Sequence, residues 1–236
     1  MFREGETGWS TRARRWLWAS LVTAAIWLVP GQSRASGEHQ VPDLRQEHTR
    51  KWERSKVRLR IPITLHVAIE TDRPALDPGR LQRSIKQTNL ALAGFGVELY
   101  IARIVLMPEG YAGIKHRRHR RALAEYAPID GTVHVFLVQK VELGSVARAD
   151  RGVRGLHWRY RGLRRKLKNR EYVVIGSDAP ATTLVHEIGH LFGLEHDAGR
   201  QNLMCSCREG PKQIFTRSQG IEIRRGATQF VGRSPG

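Results

Sequence analysis

Hydrophobic and polar positions change their spacing several times along the chain, and each change marks an element. Ile61, Ile63, Leu65, Val67 and Ile69 occupy every second position, the period of a strand with one buried face. Asp77-Pro78 then reads as a helix cap followed by proline at the first helical position. Leu81, Ile85 and Leu92 continue at helical spacing until Gly94 and Gly96. Further strands are expected over 97–106 and 132–141, with a short one around 153–159. The brief apolar run 172–175 suits the middle of a sheet. A helix is expected from near Asp178-Ala179-Pro180 to Phe192. A capping box, Thr216-Arg217-Ser218-Gln219, opens a last helix to about Arg225, which Gly220 and Gly226 weaken. No internal repeat is present, and the order of elements predicts one α/β or α+β domain over residues 57–232.

Upstream the pattern differs. Arg12, Arg14 and Arg15 precede an uncharged apolar stretch at 16–29, which Pro30-Gly31 ends. Ser33-Arg34-Ala35 then places small residues where a signal peptidase cuts. The stretch is too short to cross a bilayer, so residues 1–35 read as an export signal and the mature chain as starting at Ser36, with no stable membrane span. The expected location is secreted or periplasmic. Residues 36–56 are polar and aperiodic, a flexible tether or a short pro-segment.

The candidate chemistry lies in one stretch. His186 and His190 are four apart, so a helix presents both imidazoles on one face, one turn apart. Two such imidazoles can hold one Zn²⁺. Glu187 between them sits beside the metal rather than on it, where it can take a proton from an attacking water. Gly193 permits the left-handed turn that ends a helix and brings His196 round as third ligand. Three protein ligands with a fourth position open is a catalytic arrangement. The combination of all these positions arises by chance in on the order of 10⁻⁴ of shuffled chains.

The segment 186–196, with Met204 eight residues beyond His196, resembles the metzincin clan of zinc endopeptidases. The resemblance implies a twisted, mostly parallel sheet with two helices above a smaller lower part that carries the last helix, with a cleft between. It also implies a methionine turn beneath the zinc, formed by Asn202-Leu203-Met204. Asp197 is similar to the adamalysin (reprolysin) pattern, while the short span to Met204 is similar to matrixins. Ser206 stands where astacins and serralysins carry a tyrosine, which argues against a fifth ligand. No cysteine precedes the catalytic segment, so matrixin-style thiol latency is not supported. Asp197 reads either as a brace near the ligand turn or as a surface carboxylate. Metzincins lay the substrate antiparallel to an edge strand, here expected at Gly155, Leu156 and His157, with His157 as a rim residue rather than a ligand. The S1′ pocket is expected between residues 184–187 and the stretch after Met204. Cys205 and Cys207 are too close for a relaxed bridge, which leaves a strained disulfide or an intermolecular bond open.

Charge changes the picture in one respect. The net charge is +18. Residues 111–170 hold sixteen Lys/Arg against four acids, concentrated at 115–121 and 148–170. The simplest reading is solvated loops; the stronger one is a rim for acidic peptides, nucleic acid or other anionic polymers. The sequence therefore predicts an exported zinc endopeptidase with Glu187 as general base and a protein or peptide substrate. The alternative is an exported basic polyanion-binding module on a catalytically weak metzincin-like scaffold. Oligomeric state is not legible.

Overall fold

The computed structural model describes residues 59–70, 73–75, 77–142, 154–205 and 214–233. The expected leader (1–35), the segment 36–56, residues 148–153 of the basic stretch, and Ser206 with Cys207 lie outside them.

Strand β1 (Leu59–Val67) sits inside a five-stranded sheet, flanked by β4 (Val97–Leu106) and β6 (Val133–Val138), both parallel to it. Beyond β6 come β9 (Glu171–Gly176), parallel, and β8 (Gly155–Arg159), antiparallel at the edge. The order is β4-β1-β6-β9-β8. The alternation at 61–69 had implied one buried face, but β1 is buried on both from Ile63 onward. The reason is cover on each side. Ile61, Ile63 and Leu65 pack under helices α1 (Pro78–Ala93), α3 (Thr182–Leu191) and α4 (Arg217–Val231). Phe136, Val138, Tyr172 and Val174 pack on the other face with Leu123 and Ala124 of α2 (Arg117–Glu125). Parallel strands covered on both faces read as near-continuous apolar runs, as β6 and β9 do.

Local signals decide the helix ends. The Asp77 carboxylate accepts the Arg80 N–H at 2.9 Å and Pro78 opens α1, a cap that contributes about 1 kcal/mol. Gly96, at φ 67°, turns the chain into β4. The Thr216–Gln219 capping box forms as expected, but α4 runs on to Val231, past the expected end near Arg225. The expected strand 132–141 breaks after Val138, and Lys140–Val141 (β7) pairs instead with Gly113–Ile114 (β5). Ile69–Glu70 (β2) and Arg73–Pro74 (β3) form a two-residue hairpin.

The basic segments correct the loop reading. Residues from Arg117 are helical in α2, and Arg165–Leu167 forms a 3-10 turn with Leu167 buried. Among the described residues no helix is long and apolar enough to cross a membrane.

Candidate metal centre

Helix α3 places His186 and His190 one turn apart, as the spacing predicts, and ends in a Schellman turn. Gly193 takes φ 101°, its N–H donates to the His190 carbonyl at 3.1 Å, and the Leu194 N–H donates to Gly189 at 2.9 Å. The chain reverses there and returns His196 to the same point. The Nε2 atoms of His186 and His196 each lie 3.2 Å from that of His190. All three ligand atoms fall within 4.8 Å of one another.

The donor set fits a cation for a reason internal to the geometry. His186 Nδ1 lies 2.7 Å from the Leu203 carbonyl and His190 Nδ1 2.8 Å from that of Leu194. A carbonyl only accepts, so both Nδ1 atoms carry the proton and both Nε2 atoms present a lone pair. Burial, with the neighbouring histidines, holds His190 down to about 4, hence neutral. Two facing lone pairs 3.2 Å apart repel unless a positive ion lies between them. Tetrahedral zinc at 2.0–2.1 Å needs ligand nitrogens about 3.3–3.4 Å apart, close to what is found. Imidazole donors also suit zinc better than the hard alkaline-earth cations.

Glu187 is only 7% exposed. Burial pushes its carboxyl up to about 7, opposed by the backbone N–H of His157, which donates to it. That bond follows from strand phase. Arg154 and Tyr160 bond across to Gly176 and Arg170 of the β9 side, so the alternating residues Gly155, His157 and Arg159 turn their backbone groups to the free edge. Gly155 is required beneath them, because a Cβ there would lie 2.3 Å from Thr183 Cγ2 and 2.9 Å from Glu187 Oε1. The expected rim strand is thus the observed edge strand, lying directly over the metal helix. Leu156 turns instead toward the second core. His157 does not join the metal group; its Nε2 lies 3.4 Å from Glu171.

Met204 is fully buried, with its sulfur against the α3 backbone where a Gly189 Cβ would lie 2.5 Å away. Asp197 is half-buried. Its N–H donates to the Met204 carbonyl at 3.1 Å, and its carboxylate accepts from Gly199 at 2.7 Å and Gln219 at 3.4 Å. It therefore braces the turn after His196. Sequence reasoning missed the partners of that brace. Asn202 Oδ1 accepts the Met204 N–H at 2.8 Å and its Nδ2 donates to Gln219 at 2.9 Å, so the capping glutamine of α4 also holds the metal loop. It missed Glu171 too, a buried carboxylate that gathers His157, Arg159 and Arg233 and is held down to about 2 by hydrogen bonds from His157 and Arg159 and by the charges of Arg159 and Arg233. Cys205 is disulfide-bonded.

Comparison with known proteins agrees with this geometry. The sequence profile of metallo-peptidase family M12 (reprolysin type) matches residues 121–230, which include all three histidines and Glu187. That match covers just under half of the chain. The fold is similar to that of metalloproteinase-II from Bacteroides fragilis, with a TM-score of 0.51 at 15% identity over 87% of this chain. This chain spans 60% of the length of that protein. A chain from a chaperone–substrate complex is more distant, with a TM-score of 0.44 at 12% identity, covering 74% of this chain and 35% of its own. No curated protein matches the sequence.

Proposed function

We propose that the chain is a zinc-dependent endopeptidase. The observation that carries this reading is the triplet of converging Nε2 atoms with two Nδ1 protons tied to backbone carbonyls, beside a buried Glu187. His186, His190 and His196 would hold the ion, which when bound supplies a Lewis acid that polarises a carbonyl and acidifies a water. Glu187 takes the proton of the attacking water and passes it to the leaving amine. The free edge of β8 offers the C=O group of His157 and the N–H and C=O groups of Arg159 to an extended peptide, which then lies across the metal helix as an added strand. Asp197 and Met204 keep the ligand turn seated. The family within the metzincins is left between the reprolysin-like Asp197 and the matrixin-like span to Met204.

The test is cleavage of a diverse peptide library by the zinc-loaded mature chain and by Glu187→Ala. The wild type is expected to bind one zinc and cut within peptides. The variant is expected to bind zinc equally and cut at least a hundredfold more slowly. Equal cutting by both overturns the assignment of the base, and absence of zinc binding overturns the reading as a whole. Export, secreted or periplasmic, is part of the same proposal and rests on residues 1–35. Sequencing the N-terminus of protein recovered outside the cytoplasm is expected to start at Ser36, and retention of residues 1–35 would refute it.

A further inference from the structure

On the α2 side of the sheet edge, across from the metal helix, a hollow of about 420 Å³ opens along the C-terminal half of β8 and against α2. Arg117, Arg121, Arg159 and Arg161 line it, together with His157 and Trp158. All four arginines are exposed. Arg159 shares the buried Glu171 with His157 and Arg233, while none of Arg117, Arg121 and Arg161 has a carboxylate within ion-pair distance among the described residues. The Trp158 indole N–H has no acceptor, and neither has Nε of Arg120, whose guanidinium stacks 4.1 Å from the Trp158 ring. The charges of Arg117, Arg121 and Arg161 gather at this hollow with no carboxylate to receive them among the described residues.

These charges do not serve the helix that bears them. Arg117, Arg118, Arg120 and Arg121 fill the first turns of α2, where the helix dipole disfavours cations, and no acidic residue offsets them in the first turn. The hollow also adjoins the reaction site, since His157 borders it while the backbone N–H of the same residue holds Glu187. We infer that the hollow is a substrate subsite for carboxylate side chains, so that the protein selects peptides bearing Asp or Glu a few residues from the scissile bond. A peptide running antiparallel to β8 meets Arg159 and Arg161 on the N-terminal side of that bond, roughly three or four residues away at about 3.3 Å per residue. The inference rests on the peptidase reading for the peptide's path along β8, but the binding of acidic peptide is separately measurable.

The experiment uses one cleavable peptide from the library with Glu, Gln or Lys placed in turn at each flanking position. Wild type and Arg117→Gln/Arg121→Gln are compared by kcat/KM. Glu is expected to be preferred over Gln roughly five- to tenfold at a position N-terminal to the cut, less at high salt. The double variant is expected to bring that ratio close to one. In parallel, labelled Glu and Gln peptides are titrated onto Glu187→Ala, with and without the two arginine substitutions. Discrimination in binding without any cleavage would leave the subsite standing and refute the peptidase reading. Cleavage without preference for Glu, or a preference unmoved by the double variant, overturns the subsite. Tighter arginine-dependent binding of a single-stranded oligonucleotide or heparin than of the Glu peptide also overturns it, in favour of a polyanion surface.

Discussion

Acid sensitivity can be worked out from one pair of side chains. His66 on β1 and His134 on β6 are 68 residues apart, yet their Nε2 and Nδ1 atoms lie 2.9 Å from each other, both residues nearly inaccessible. His134 Nε2 lies 3.1 Å from both the Pro128 carbonyl and the Asp130 carboxylate, which only accept, so it carries a proton. Its Nδ1 therefore accepts from His66, and the second nitrogen of His66 is left buried without a partner. A proton added there would be an unpaired buried charge next to His134 and Arg103, with Asp130 only partly compensating. Burial first, then His134 and Arg103, lower His66 to about 3 from 6.5. A depressed pKa gives stability that is present above 6.5 and lost as pH falls toward 3. Between pH 6 and pH 4 the unfolded chain holds nearly one more proton at this site, which removes about 2.5 kcal/mol. The assay is urea unfolding of the metal-free protein at pH 6, 5 and 4, with His66→Phe beside wild type. The rest of the molecule is the same in both, so the difference in slope reports the His66–His134 pair. The variant is expected to lose about 1.2 kcal/mol less per pH unit. Parallel pH dependences would refute the reasoning.

Two close approaches make further predictions. Gly155→Ala puts a methyl 2.3 Å from Thr183 Cγ2 and 2.9 Å from Glu187, so β8 must lift from α3. Peptidase kcat/KM is expected to fall roughly a hundredfold with zinc stoichiometry kept, and Thr183→Ser to restore part of it; an unchanged rate would show that β8 does not set the position of Glu187. Gly226→Ala puts a Cβ 2.0 Å from the Phe192 carbonyl oxygen and 2.7 Å from its carbon. Backbone cannot swing aside, so the gain of helix propensity is outweighed and about 3 kcal/mol is lost, a fall in Tm of roughly 6–10 °C by calorimetry. A stabilised variant would refute the contact.

The last substitution also shows where sequence reasoning fails. Gly220 and Gly226 read as weak points in a helix, but they are the places where Phe95 and the Phe192 backbone come too close for any side chain. A helix that tertiary packing favours runs through them. Helix α2 was hidden for the opposite reason. Arg117, Arg118, Arg120 and Arg121 obscure its period, and only Leu123 and Ala124 reach the core. By contrast, the bounds of β4 and the caps of α1 and α4 depend on neighbours in sequence and were legible there. So was the metal triplet, because a helix and one glycine turn generate it locally. Its support was not legible: Asn202, Gln219 and Glu171 act across distances that only the sheet register and the packing of α4 establish.

An unpaired strand edge does not distinguish a substrate from a second copy of the same protein. The rim of β8 on which the proposed peptide would lie is also a template for edge-to-edge association. Four exposed arginines beside it set two such rims against each other electrostatically. That protection is short-ranged, with a screening length of about 8 Å at physiological ionic strength and about 3 Å at 1 M. The guard against self-association and the attraction for acidic chains would then reside in the same side chains, so that neutralising them costs the molecule its solitude as well as its selectivity.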